Sequence, residues 1–157
     1  MEAQSVKISW KILMVPYIVL LIFGSIWTFA PSISVGQDLQ SLIGQPWLDF
    51  VASNAKLASF ISLLGRVLGI QLIVIGIMAI AITLTSYRRG EKWSWYVFLA
   101  GNTLGWGSGL AMEGITGVIP VVIIEAIMLL IVYVGLGISA KAILIKASSV
   151  MSHKFVA

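Results

Sequence analysis

The sequence predicts an all-α integral membrane protein, a four-helix bundle with both termini cytoplasmic, and three observations carry that prediction. Hydrophobic residues fill 59% of the 157 positions and charged residues only 10%, against roughly one quarter charged in soluble domains. Residues 12–37, 67–87 and 93–112 hold no charged side chain, and 114–140 hold only Glu125. Lys and Arg collect in connections on one side of these runs, as they do in the cytoplasmic loops of membrane proteins. A single membrane domain over residues 1–157 accommodates the pattern.

The first helix is expected over about 10–29. Lys7 and Lys11 precede its apolar run, and Pro16 falls in its first turns, where a kink is mild. Lys7, Lys11 and Ala30 give it some look of a signal peptide. Pro31 directly after Ala30 argues against cleavage, and the apolar run is long for a signal segment, so it reads as a retained membrane helix.

Residues 30–56 are expected to form an outer loop. In its second half Pro46 suits the start of a helix, and Trp47, Phe50, Val51, Leu57 and Ile61 recur at helical spacing opposite Asp49, Ser53 and Lys56. An amphipathic segment on the outer membrane surface has this pattern, either as an anchor for the second helix, as a lid over what the helices enclose, or as a docking surface.

The second helix is expected over about 57–87, the third over 93–112 and the fourth over 120–145, each close to or above the roughly 20 residues that cross a hydrocarbon core. Between the second and third, Arg88, Arg89 and Lys92 hold a tight loop inside, Gly90 permits the turn, and Trp93 and Trp95 sit at headgroup depth. Gly114, Gly117 and Pro120 make the outer link to the fourth helix. Lys141, Lys146 and Lys154 lie at the C-terminal end, whereas the outer side carries only Lys56, with Asp38 and Asp49 in the same loop. Four crossings of the cell membrane satisfy these positions. The net charge of +4 is mostly this sorting, so lipids are the expected partners and nucleic acid is not.

Small residues describe how such helices pack, because lipid supplies no hydrophobic drive for their association. Gly65 and Gly69 lie on one stripe of the second helix, and Gly101, Gly105 and Gly109 repeat every four residues on the third. Tight packing of helices two, three and four is the first expectation, and subunit association the second. Gly105 to Gly109 alternate like a nucleotide loop but lie in an apolar span that follows no strand.

The chain has no cysteine, and its one histidine, His153, is in the C-terminal tail. Thiolate metal sites, iron–sulfur clusters, bis-histidine haem and Ser-His-Asp or Cys-His catalysis lack their side chains here. No cofactor, metal or catalytic residue is assigned.

Three charges lie within apolar runs, and charge there is costly and usually paired, hydrated or functional. Arg66 neighbours the glycine stripe of the second helix; Asn102, Gly105, Gly109 and Glu113 share a face of the third; Glu125 falls about 8 Å below Pro120 at 1.5 Å per residue. The three ionisable groups reach similar outer-leaflet depth. Two arrangements account for them: an Arg66–Glu125 ion pair with Glu113 wetted at the surface, or a polar pocket in which Asn102 is the further contact. Two carboxylates alone make no metal site.

With its helix order, long first outer loop and the run Tyr87-Arg88-Arg89-Gly90-Glu91-Lys92-Trp93-Ser94-Trp95-Tyr96 closing a glycine-bearing helix, the chain resembles small DoxX-like membrane proteins over about residues 60–145. That resemblance implies a partner role beside quinone-linked membrane oxidoreductases, and it carries over no active site. The functional expectation is therefore a non-catalytic accessory or assembly subunit of a membrane oxidoreductase or oxygenase complex, associating with other membrane subunits or with itself. The alternatives are a small transporter or channel, or a lipid- or quinone-binding protein, built on Arg66, Glu113 and Glu125. An enzyme acting on lipid or quinone is the weakest, for want of a nucleophile and base.

Overall fold

A computed structural model of the chain describes residues 2–145, and Lys146, His153 and Lys154 lie outside them. The described chain is all-α. Helix α1 spans Glu2–Phe29, α2 Pro31–Ile43, α3 Trp47–Ser53, α4 Ala55–Ile82, α5 Lys92–Thr116 and α6 Ile119–Ala140; π-helical turns Thr83–Tyr87 and Lys141–Ile145 extend α4 and α6. Three segments, Gln4–Phe29, Ala55–Tyr87 and Ile119–Ile145, are long and apolar enough to cross a membrane, which marks a membrane protein. Helix α5 has 25 residues, the length to do so, but is less apolar. Large side chains such as Ile70, Ile77 and Leu130 are more than half exposed along these helices. Water would not tolerate so continuous an apolar surface, and lipid would.

The segment expected as an outer loop holds two helices: α3 begins at Trp47 directly after Pro46, in line with the helical spacing expected there, whereas α2 was not expected. Pro31 occupies the first turn of α2, where its missing N–H costs nothing, and Gly44 ends the helix in the left-handed conformation (φ 70°), its N–H bonding Gln40 O at 2.9 Å. Asn54, at φ −138°, then separates α3 from α4. The stripe expected to run from Trp47 to Ile61 is therefore broken: Trp47 and Phe50 stack on each other at 6.0 Å, with Phe50 buried, while Leu57 begins a different helix. Helix α1 starts earlier than expected, and α5 runs past Met112 to Thr116, so that Glu113 lies on the helix.

Helix α1 lies at the centre, packing along both α4 and α6, and α6 packs along α5. Glycines bring α1 and α4 together. A Cβ on Gly69 would sit 2.6 Å from the Thr28 backbone nitrogen and 2.7 Å from Gly24 O, and one on Gly24 would meet Gly69 O at 2.8 Å. Gly65 faces Val35, Pro31 and Trp27, and Gly76 faces Leu21. The stripe of α4 is thus spent on α1 and α2. Helices α4 and α5, although joined by a hairpin, make scarcely any contact beyond the π-turn between them.

Polar bonds lock the hairpin end. The buried Tyr87 hydroxyl lies 2.5 Å from both Ser9 Oγ and Ser139 Oγ, and the Ser9 hydroxyl donates to Gly135 O at 2.6 Å. Trp95 Nε1 donates to Leu136 O at 3.0 Å. Every one of these groups finds a protein partner, as an apolar surround requires.

Glycine substitutions should separate packed from open positions. Gly69→Ala is expected to cost about 1–3 kcal/mol through overpacking against backbone, whereas Gly101→Ala, with nothing within 4 Å of its Cβ position, should be neutral or stabilising by up to about 1 kcal/mol. Thermal unfolding in detergent measures both.

Candidate functional site

Because α4 is held on α1 and α5 on α6, a cleft of about 680 Å³ opens between α4 and α5. Its floor is α1, through Tyr17, Leu20, Phe23 and Trp27. One wall is Leu68, Leu72, Ile75 and Met78 of α4, and the other is α5 from Val97 to Glu113. Those 16 steps along α5 (113 − 97) correspond to about 24 Å at 1.5 Å per residue. Leu68, Met78 and Met112 are half or more exposed at its sides. The cleft is therefore apolar and lateral, of a size typical of small-molecule sites.

The polar groups are unevenly distributed. At one end α2 contributes Ser34, Gln37 and Asp38, and Glu113 and Glu125 come from α5 and α6. Glu125 fits because Gly109 has no side chain: a Cβ there would collide with its carboxylate. Its Oε2 is buried and has no hydrogen-bond partner. Glu113 Oε2 accepts from Thr116 Oγ1 at 2.8 Å. Asp38 is partly buried beside the Glu113 carboxylate; burial first, and that charge second, push its acid up to about 6. Along the cleft, Asn102 spends its Nδ2 hydrogens on Tyr17 Oη at 2.9 Å and Phe98 O at 2.8 Å. Its Oδ1 is left as the acceptor.

The residues singled out from sequence are only partly brought together. Asn102, Gly101, Gly105, Gly109, Glu113 and Glu125 all line the cleft. Arg66 does not: it is exposed on α4 and forms no ion pair with Glu125, the one salt bridge among the described residues being Arg89–Glu91 at 3.0 Å. The reason is packing, since α4 sits on α1 and α2 rather than on α6. Gly101 and Gly105 are not packing positions within the chain, because a Cβ on either would meet nothing within 4 Å. Gly65 and Gly69 are packing positions, though against α1 and α2 rather than α5. Asp38 and α2 were missed as site components. The signals were Pro31 and Gly44, 13 residues apart, bracketing a run with one charge.

No group of three or more His, Cys, Asp or Glu with metal-binding geometry occurs among the described residues. No family model matches the chain, and no curated protein and no solved structure matches it.

Two measurements probe this end of the molecule. An Arg66→Ala, Glu125→Gln double-mutant cycle should give a coupling energy within about 0.5 kcal/mol of zero, as unconnected sites do. Asp38 binds its proton more tightly folded than unfolded, so its ionisation lowers stability as pH rises from 3.8 to about 6. Partial exposure screens the effect to about 1 kcal/mol. Melting temperatures across that window should fall less for Asp38→Asn than for the native chain.

Proposed function

We propose that the protein binds an amphiphilic molecule drawn from the bilayer into the cleft between α4 and α5. The observation that carries this reading is the shape and polarity of the cleft: an apolar trough about 24 Å long, bounded by Leu72, Ile75, Phe23 and Phe98, with its charged residues at the α2 end. A chain-like apolar tail matches the trough, and a polar head matches the end that α2 covers. In this reading all four long helices cross the cell membrane with both termini cytoplasmic, and α2 and α3 lie at the outer face. Helix α5 crosses despite its lower apolarity because Gly101, Asn102, Gly105, Ser108 and Gly109 face the cleft rather than lipid.

Extraction in a mild neutral detergent, followed by native mass spectrometry, tests the reading. The native protein should retain a bound amphiphile, and Gly105→Leu, which places a side chain in open space within the cleft, should reduce retention about tenfold, a change of about 1.4 kcal/mol, without lowering the melting temperature. Equal retention by both proteins would sink it.

A second reading, an accessory subunit of a membrane oxidoreductase or oxygenase complex as the DoxX-like resemblance implies, is favoured by one observation. Gly101 and Gly105 are four residues apart on α5 with free space above them, the spacing at which membrane helices approach closely. A stoichiometric protein partner in the same preparation, released by Gly101→Leu, would support that reading instead.

A further inference from the structure

We infer that the head group the cleft selects is cationic: a protonated or quaternary amine carried on an apolar tail. This rests on the reading of the cleft as an amphiphile site, and it concerns only which head occupies the α2 end. Three carboxylates, Asp38, Glu113 and Glu125, come from three different helices to that end, and no Lys, Arg or His lines the cleft among the described residues. The cation that the sequence would offer, Arg66, is on the surface instead. Glu125 holds one carboxylate oxygen buried and unpartnered. Removing such an oxygen from water without a hydrogen bond or a counter-charge is unfavourable, and a cation in the adjoining cleft offsets its charge through space.

The competing head groups fit less well. A phosphate or sulfate would bring a further negative charge beside three carboxyl groups in a low-dielectric pocket. A quinone presents carbonyl acceptors, for which this end offers only the uncharged Ser34 and Gln37 as donors, Asn102 having spent its own on Tyr17 and Phe98. An ammonium supplies both charge and, when protonated, donors. Trp27 lines the cleft as well, and an indole face is the best aromatic partner for a cation.

The test holds the tail constant and changes the head. The purified protein in neutral maltoside detergent is presented with dodecyltrimethylammonium, dodecyl glucoside or dodecyl sulfate at equal micellar fraction, and bound chain is counted by native mass spectrometry. The cationic chain should bind at least about tenfold more tightly than the neutral one, and the sulfate least of all. Glu125→Gln and Asp38→Asn should each bring the cationic chain towards the neutral affinity while leaving neutral binding intact, and intact neutral binding shows that each variant is folded. Equal affinity for cationic and neutral chains, with both lost in Gly105→Leu, overturns the cationic preference and leaves the amphiphile cleft standing. Binding that Gly105→Leu does not reduce for any head group overturns the cleft itself. A native lipid amine copurifying in place of the added probe identifies the source of the amine as the bilayer and supports the inference.

Discussion

The backbone contact between α1 and α4 at Gly24 and Gly69 constrains the placement of every other helix. Both glycines lie where a Cβ would come under 3 Å of the opposing backbone, and in an apolar surround such approach, rather than hydrophobic drive, is what holds helices together. It commits the small-residue face of α4 to α1. What α4 then turns towards α5 is Leu68, Leu72, Ile75 and Met78, side chains too bulky for a glycine-type crossing. Helix α5 is meanwhile held on α6, with Trp95 bonded to Leu136 O and Gly109 accommodating Glu125. Two helices joined by a short hairpin are thereby drawn to different neighbours, and the cleft is the space this leaves.

The hairpin end keeps that space from running through the whole molecule. Arg88 N–H reaches back five residues to Thr83 O, closing a π-turn, and Tyr87 on that turn is fully buried between Ser9 and Ser139. Phe98 packs its ring against both Tyr87 and Tyr17, at 5.5 and 5.3 Å. Net stabilisation from interhelical hydrogen bonds is modest, about 0.6 kcal/mol each. Their geometric effect is larger, since each ties a different helix to the same point. The cleft is consequently pinned where it is apolar and covered only by α2 where it is charged.

Much of this was legible in the sequence because bilayer physics leaves few options. Apolar run length placed all four long helices to within a few residues, apart from the earlier start of α1. Gly101, Gly105 and Gly109 stood out by spacing alone, but spacing says only that a face is smooth. Whether a helix, a carboxylate or open space lies above it depends on which neighbour wins the competition for α4, and that was settled by Gly24, whose partner is 45 positions away. Helix α2 went unread for a related reason: Pro31 and Gly44 are start and stop signals that carry weight only once the segment between them is recognised as half-buried, with Val35 and Gly36 inward.

The same asymmetry explains why the expected ion pair is absent. Arg66 and Glu125 both break apolar runs, and pairing them is the cheapest solution if both must stay where the backbone puts them. An arginine need not, since its long stem lies along apolar surface while its head reaches the interface. A glutamate has two methylenes and no such escape. It therefore has to be accommodated in place, and here that is done by a glycine on the neighbouring helix and a shared polar end to which α2 brings Asp38. Arg66 is accordingly exposed on α4 while Glu125 is enclosed beside Gly109, and only the carboxylates line the cleft.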